Sequence, residues 1–146
     1  MKCKEFIVDE VYTCAPNTSV GEVAQQMRTR GIGFVPVADG SGRITATITD
    51  RDLCIHVLGT GKGPDVSVGD VMTTGAVCCH TEEDLASAER KMAENQVQRI
   101  VIVDDDQRAV GVISQADLAR AESDAQRTQT VFKAVHSPTP PSSPPL

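Results

Sequence analysis

The stretch ITATITDRDL, residues 44–53, recurs as AVGVISQADL, residues 109–118. In both copies an alternating run ends in a Thr or Ser, and an Asp follows three positions later. Outward from this stretch, one shift of 65 places residues 4–53 over residues 69–118 without a gap. The identical pairs are Cys14 with Cys79, Met27 with Met92, Asp39 with Asp104, Arg43 with Arg108, Ile48 with Ile113, Asp52 with Asp117, and Leu53 with Leu118. Because internal repeats decide architecture, the chain is predicted to be a duplicated unit.

Each copy has the pattern of a strand, a helix, two strands and a closing helix. In the first copy, Ser19 followed by Glu22 has the form of a capping box, and Gly31 supplies a helix stop. The apolar segment FVPV, residues 34–37, and the alternating ITATIT are typical of strands. In the second copy Asp84 stands where Ser19 did. The patterns predict an α/β (α+β) fold of two β-α-β-β-α repeats.

Composition and charge narrow the classes of function. A formal net charge of −6 at pH 7 argues against nucleic-acid binding, which needs a basic surface. No apolar run approaches the roughly 20 residues of a membrane-spanning helix, and the first residues, MKCKEFIVDE, are too charged for a signal peptide. Five cysteines without a disulfide-scaffold pattern suit a reducing compartment. We therefore expect a cytoplasmic protein without a membrane or nucleic-acid partner.

The domain boundaries follow from the repeat and from composition. Residues 1–58 form the first repeat with its N-terminal segment, and residues 69–122 form the second. The Gly-rich residues 59–68 are predicted to be a linker. Residues 123–136 are predicted to form a C-terminal helix. Residues 137–146 are rich in proline and are predicted to be a disordered tail.

The order of these segments resembles a known family. GIGFVPVAD, ITATITDRDL and NQVQRIVIVDDDQRAVGVISQADL are similar to the cystathionine-beta-synthase (CBS) domain, present here as a tandem pair or Bateman module. The resemblance implies that the repeats pack through their sheets with pseudo-twofold symmetry and leave two clefts between them. It further implies that the clefts bind adenosine-containing ligands such as AMP, ADP, ATP or S-adenosylmethionine, and that the module forms homodimers.

By this resemblance, the repeated hydroxyl and carboxylate have a role in ligand binding. Thr49 and Asp52 belong to the first cleft, and Ser114 and Asp117 belong to the second cleft. A carboxylate at the start of a helix can accept hydrogen bonds from both hydroxyls of a ribose. The alternative is that both pairs are ordinary helix caps.

The resemblance also assigns the other walls of the first cleft. Gln98 and Arg99 would lie near the anionic end of the ligand, and Val77 and Cys78 would lie near the base. The planar guanidinium of Arg99 matches the oxygens of a phosphate. Ala46 stands where the family usually has Gly, and we expect its Cβ to narrow this cleft.

The second cleft is assigned a different lining. The residues that the resemblance places there, besides Ser114 and Asp117, are Tyr12, Thr13, Gly33, Phe34 and Pro36. Phe34 occupies the position that Arg99 has in the other repeat. An anion would lose a partner there, so this cleft is expected to prefer a less charged ligand or to stay empty.

Metal binding and catalysis are the competing interpretations of the sequence. CCHTEED, residues 78–84, brings thiols, an imidazole and carboxylates together, but neighbouring strand residues point to opposite faces and do not converge on one metal ion. No nucleophile elbow or phosphate-binding loop is present in the sequence. The sequence thus predicts a stand-alone, non-enzymatic sensor that needs no cofactor, binds an adenine nucleotide as regulatory ligand and acts on an unidentified effector protein. The alternative is a structural interaction scaffold whose clefts are vestigial.

Overall fold

The computed structural model describes residues 1–8, 10–121 and 132–135. The predicted tail at 137–146 lies outside the described residues, as does all of the predicted C-terminal helix except 132–135, which are helical. The strands are β1 (Phe34–Ala38), β2 (Ile44–Thr49), β3 (Thr73–Thr74), β4 (Cys78–His80), β5 (Arg99–Val103) and β6 (Ala109–Ser114). The α-helices are α1 (Val20–Arg30), α2 (Asp50–Asp52), α3 (Leu85–Asn95) and α4 (Gln115–Ala121). None of the described helices is both long and apolar enough to cross a membrane.

The strands form two three-stranded sheets, in the orders β1-β2-β3 and β4-β5-β6. The fold is therefore the predicted mixture of helices and strands in two repeats. Phe34 pairs with Thr49 in the first sheet, and Arg99 pairs with Ser114 in the second, so the register obeys the shift of 65. Each antiparallel pair also has an irregularity at the same place, next to Val37 and Ile102 respectively.

The opening strand differs between the repeats. In the second repeat it is β4, which runs parallel to β5. In the first repeat the predicted strand is reduced to an isolated parallel bridge between Cys14 and Val37. The equivalent pair in the second repeat, Cys79 and Ile102, lies within β4 and β5.

The turn between the two central strands explains why Asp39 and Asp104 are identical. Asp39 Oδ1 accepts hydrogen bonds from the N–H groups of Ser41 and Arg43, at 2.9 and 3.1 Å. Asp104 Oδ1 accepts from the N–H groups two and four residues later, at 2.9 and 3.0 Å. An Asp side chain that hydrogen-bonds to the backbone two residues on is the usual device of such a turn. The turn is therefore built twice by the same side chain.

The central helices begin and end by local rules. α1 begins where Ser19 Oγ accepts a hydrogen bond from the Glu22 N–H at 3.2 Å, and it ends at Gly31, whose φ is 64°. In the second repeat Asp84 makes no side-chain cap, and Gln96 takes the left-handed position with a φ of 54°. A left-handed conformation costs a non-glycine residue about 1 to 2 kcal/mol. The tertiary structure of the second repeat must offset this cost.

The closing helices of the two repeats differ as well. After α2, the chain continues as a π-helical turn, Leu53–Val57, and a 3₁₀ turn, Leu58–Thr60. The second repeat closes with the regular helix α4.

Each repeat has its own apolar core, and a third cluster joins the sheets. The third cluster consists of buried Ile44, Val101 and Val103, against which Phe34, Ala38, Ala76, Cys78 and Ala109 pack. The Ile44 N–H donates to the Gln107 carbonyl at 3.0 Å, and Arg108 Nη2 donates to the Ser41 carbonyl at 3.2 Å. The repeats are therefore held together by apolar packing that backbone contacts accompany.

Residues 59–68 pack against the start of α1. The Val20 N–H donates to the Val66 carbonyl at 2.8 Å, and the Gly21 N–H donates to the Pro64 carbonyl at 2.9 Å. Val68 is fully buried in the first core. These contacts satisfy backbone donors at the helix N-terminus, which have no partner inside the helix.

The N-terminal segment packs on the second repeat in the corresponding way. The Cys3 N–H donates to the Glu83 carbonyl at 2.9 Å, and the Cys3 side chain is fully buried. Further along, the Phe6 carbonyl lies against Gly111, where an added Cβ would be 2.6 Å from the Phe6 oxygen. Gly111 is thus required by the approach of this backbone segment.

We expect Gly111→Ala to lower the free energy of unfolding by about 1 to 3 kcal/mol, because the methyl group would force the Phe6 backbone or β6 to move. Urea denaturation measures the change. Gly40→Ala is the control, since an added Cβ there meets nothing within 4 Å, and its effect should stay within about 0.5 kcal/mol. Equal effects of the two substitutions would contradict the packing argument.

The five cysteines are free thiols. Burial raises the pKa of the Cys14 thiol to about 11, and burial also raises that of Cys78. The Cys79 thiol donates a hydrogen bond to Cys3 Sγ at 3.4 Å, and this bond together with burial raises the pKa of Cys79. Cys54 differs from them because it is exposed.

We therefore expect a maleimide to label Cys54 of the native protein first at pH 8. A thiol with a pKa near 11 is about one part in a thousand thiolate at that pH, and the thiolate is the reactive form. Peptide mass spectrometry after timed labelling measures the order. Labelling of Cys14 or Cys79 as fast as Cys54 would show that these thiols are accessible, and labelling in urea provides the unfolded reference.

Candidate functional site

Two cavities lie between the repeats, and they correspond to the predicted first and second clefts. The first cleft has a volume of about 430 Å³ and the second about 470 Å³. Ten lining positions of the second cleft match lining positions of the first through the shift of 65. The two clefts therefore share most of their lining positions, but residues 49–52 line the first cleft and their equivalents 114–117 do not line the second.

In the first cleft, Thr49 and Asp52 form a reciprocal cap. The Asp52 N–H donates to Thr49 Oγ1 at 3.1 Å, and the Thr49 N–H donates to Asp52 Oδ2 at 3.0 Å. Both residues nevertheless line the cavity. Among the described residues, the Asp52 carboxylate accepts a hydrogen bond only from the Thr49 N–H, and it does so through Oδ2. Oδ1 is therefore available to a ligand. Capping and ligand binding do not exclude each other here.

In the second repeat, Ser114 and Asp117 repeat the cap but not the exposure to the cavity. The Asp117 N–H donates to Ser114 Oγ at 3.1 Å, and the Ser114 N–H donates to Asp117 Oδ2 at 2.8 Å. Arg120 Nη2 forms an ion pair with Asp117 Oδ1. Both carboxylate oxygens are therefore engaged, and neither Ser114 nor Asp117 is among the residues that line the second cleft.

The structure brings most of the other predicted first-cleft residues together. Val77, Gln98 and Arg99 line the cavity with Asp52. Cys78 does not line it, because its side chain packs in the cluster between the sheets, where Sγ lies 3.7 Å from the Ala76 carbonyl.

The predicted second-cleft residues divide in the same way. Tyr12, Gly33 and Phe34 line the cavity, whereas Thr13 and Pro36 do not. Pro36 is buried within β1. A Cβ at Gly33 would lie 2.5 Å from Asp50 Oδ2, so the small size of Gly33 makes room for a carboxylate that lines the first cleft.

Several lining residues of the first cleft were missed by the sequence analysis. Thr47 lies two positions before Thr49, so strand alternation could have placed it on the same face. Thr73 reaches the cleft only because β3 pairs with β2, where it is opposite Thr47. Gln96 and Arg51 carry no pattern that distinguishes them from solvent-exposed residues.

The second cleft contains an ion-pair cluster that the sequence analysis did not predict. The Arg30 guanidinium lies 5.0 Å from the centre of the Tyr12 ring, and Nη2 is 3.5 Å from Glu10 Oε1. Arg30 Nε donates to Gln26 Oε1 at 2.9 Å. Burial raises the pKa of Tyr12. The phenol therefore stays protonated at neutral pH, and Glu10 is the acidic partner of Arg30.

Ala46 does not narrow the first cleft as expected. It is fully buried in the core of the first repeat and is not a lining residue. At the equivalent Gly111, an added Cβ would clash with the Phe6 carbonyl oxygen, as described above. The choice between Ala and Gly at this position is therefore a matter of packing behind the sheet.

The side chains of CCHTEED have other partners. His80 Nε2 lies 2.6 Å from Asp105 Oδ1, and Lys91 Nζ lies 2.9 Å from Glu83 Oε1. Cys79 points to Cys3. Across the part of the chain that the structure describes, no three His, Cys, Asp or Glu side chains are grouped so as to hold a metal ion.

A family model described as the CBS domain matches residues 3–59 and again residues 68–124. The chain belongs to the CBS domain family. The first matched segment contains β1 and β2, and the second contains β4, β5 and β6 together with β3, which pairs with β2 in the first sheet.

Curated CBS-domain relatives differ in how much of their length the chain spans. The chain is 31% identical over 116 residues to the CBS domain-containing protein YhcV of Bacillus subtilis, covering 80% of this chain and 81% of that protein. It is 34% identical over 119 residues to the inosine-5'-monophosphate dehydrogenase of Methanocaldococcus jannaschii, covering 82% of this chain but 23% of the enzyme. The likeness to the dehydrogenase thus concerns a minor part of that protein.

Solved CBS-domain structures have the same fold. The protein TA0289 of Thermoplasma acidophilum matches with a TM-score of 0.79 at 22% identity, covering 94% of this chain and 77% of that one. PAE2072 of Pyrobaculum aerophilum, solved with AMP, has a TM-score of 0.75 at 16% identity and coverages of 91% and 99%. The CBS domain pair of the protein MJ0100, solved with 5'-methylthioadenosine and S-adenosyl-L-methionine, has a TM-score of 0.73 at 22% identity and coverages of 83% and 94%.

We expect Asp52→Ala to lower the free energy of unfolding of the ligand-free protein by about 1 kcal/mol, because the Thr49 N–H loses its acceptor. Urea denaturation measures it. Asp52→Asn is the matched control, since its amide oxygen can still accept that hydrogen bond, and its loss should be less than half as large. Equal losses would indicate that the charge, and not the cap, stabilises this turn.

Proposed function

We propose that this chain is a regulatory module that binds an adenosine-containing ligand with a phosphate group in the first cleft. The observation that carries the proposal is the placement of Asp52, with Oδ1 available, in a cavity that also contains Arg99. A carboxylate can hold the diol of a ribose, and a guanidinium can hold a phosphate through two parallel hydrogen bonds. The cavity therefore offers both ends of a nucleotide a suitable partner.

The remaining walls of the first cleft suit a purine. Ala76, Val77 and Val97 supply apolar surface, and the hydroxyls of Thr47 and Thr73 supply polar contacts beside it. Pockets for small ligands usually combine apolar walls with a few placed polar groups. A cavity of about 430 Å³ is within the usual range for such ligands.

The CBS pairs solved with AMP and with S-adenosyl-L-methionine support this ligand class. Their identity to this chain is low, so the support comes from the shared fold and from the site residues of the first cleft. AMP, ADP and ATP fit the Arg99 partner best, because they carry phosphate. We propose no catalytic role for the described residues and no resident cofactor.

Regulation follows from the position of the cleft between the repeats. Asp52 belongs to the first repeat and Arg99 to the second. A ligand that needs both groups stabilises the arrangement in which both are in reach, and it shifts the equilibrium only by its difference in affinity. We propose that a cytoplasmic homodimer or an effector protein responds to this shift. Ile55 and Leu58 follow Asp52 by three and six residues, and their exposed side chains could make such a contact.

An interaction scaffold with vestigial clefts is the second candidate. The ion pair between Arg120 and Asp117 favours it for the second cleft, since it occupies the carboxylate that a ribose would need. The first cleft has no corresponding block among the described residues.

We expect AMP, ADP or ATP to raise the thermal midpoint of the protein, in a panel that includes NAD and S-adenosylmethionine. A ligand at 100 times its dissociation constant adds about 2.7 kcal/mol to the stability of the folded state. Asp52→Asn should reduce the shift strongly. Asp117→Asn is the matched control in the other repeat and should reduce it little. No shift with any of the five ligands would favour the scaffold.

A further inference from the structure

Arg99 lines both clefts. It is the first residue of β5, and it contributes to the walls of the first and of the second cavity. Phe34 holds the equivalent place at the start of β1 and also lines both. A symmetric pair of repeats would have one cation at each position. Here only one of the two equivalent positions, residue 99, carries a guanidinium, and the other, residue 34, carries a phenyl ring.

The other arginines do not replace it in the second cleft. Arg51 lines the first cleft only. Arg30 lines the second, but Glu10, Gln26 and the Tyr12 ring hold its guanidinium. Arg99 forms no ion pair with the acidic residues that the structure describes. Among the described lining residues of the second cleft, it is thus the one cation without an acidic partner.

We propose that the two clefts compete for the guanidinium of Arg99, so that an anionic ligand in one cleft lowers the affinity of the other for an anion. This inference rests on the proposed function of the first cleft. A guanidinium that binds one phosphate through its planar fork has fewer donors left for a second phosphate. A neutral nucleoside needs no such partner and is not subject to the competition. The module then holds one phosphorylated ligand at low concentration, and the second cleft takes a neutral adenosine-type ligand more readily.

The competition must be reciprocal, because coupling between two binding sites is the same from either side. Couplings between sites typically amount to about 5-fold to 150-fold in affinity. The loss of one charge-assisted contact falls within that range. We therefore expect an anion in one cleft to lower the anion affinity of the other about tenfold.

The single tyrosine of the chain makes the second cleft separately observable. Tyr12 is the only Tyr in the sequence, and it lines the second cleft and not the first. Incorporation of 3-fluorotyrosine therefore gives one ¹⁹F resonance that reports occupancy of the second cleft, while calorimetry counts all bound ligand.

The experiment titrates AMP into the wild type and into Asp52→Ala, which weakens the first cleft. In the wild type the second cleft fills while the first is occupied, and in the variant it fills while the first is empty. We expect the ¹⁹F resonance to report an AMP affinity about tenfold higher in Asp52→Ala. Adenosine, the uncharged control, should show the same affinity for the second cleft in both proteins.

Arg99→Gln removes the cation that the two clefts are proposed to share. We expect the difference made by Asp52→Ala to disappear in the Arg99→Gln background, and persistence of the difference there would overturn the proposal. Phe34→Arg supplies the missing second guanidinium. In the Phe34→Arg background, the second cleft should have the same AMP affinity with and without Asp52→Ala.

The failures of the two proposals are distinguishable. AMP binding that calorimetry detects nowhere would refute the proposed function itself. AMP binding to both clefts, with a second-cleft affinity that is the same in the wild type and in Asp52→Ala, would leave that function intact and refute the competition. A ¹⁹F resonance that AMP does not move even in Asp52→Ala would also overturn the competition, since the second cleft would then take no anion.

Discussion

The apolar packing between the two sheets is the constraint on which the rest of the molecule depends. Ile44 from one repeat and Val101 and Val103 from the other are buried against each other. Full burial of one such side chain contributes roughly 1.5 to 3 kcal/mol, as an upper estimate. Phe34 and Arg99 are the first residues of β1 and β5, which contribute to this packing, and both residues line both clefts. Without this packing each repeat would present an open apolar sheet.

The duplicated backbone and the diverged side chains have different consequences. The strand register, the turns at Asp39 and Asp104, and the caps at Thr49 and Ser114 are repeated at the same interval, so the clefts have similar walls. The side chains that line the two clefts differ. The first cleft has hydroxyls and amides, and the second has an arginine packed over a tyrosine ring. Asp52 has one carboxylate oxygen available to a ligand, whereas the corresponding oxygen of Asp117 forms an ion pair with Arg120. One architecture thus supports two sites of different character.

Much of the candidate site could be predicted from the repeat and its resemblance to the CBS family. Thr49, Asp52, Val77, Gln98 and Arg99 share one cavity as that reasoning expected, although their roles toward a ligand are still predictions. Cys78 could not be placed correctly, because period-two alternation does not say which face of β4 meets the other sheet. The ion pair between Asp117 and Arg120 follows an i,i+3 spacing on α4 that the sequence does contain, but the sequence analysis did not use it.

The sequence by itself determined the duplication, most of the order of helices and strands, and the capping pairs at residues 49 and 114, because these depend on interactions within a few residues or on direct repetition of the chain. Only the tertiary structure decided that Thr73 faces Thr47, that Phe6 requires a glycine at position 111, and that Arg99 is common to both clefts. These features depend on where distant segments meet. That position is set by the summed packing of both repeats, which no local pattern contains.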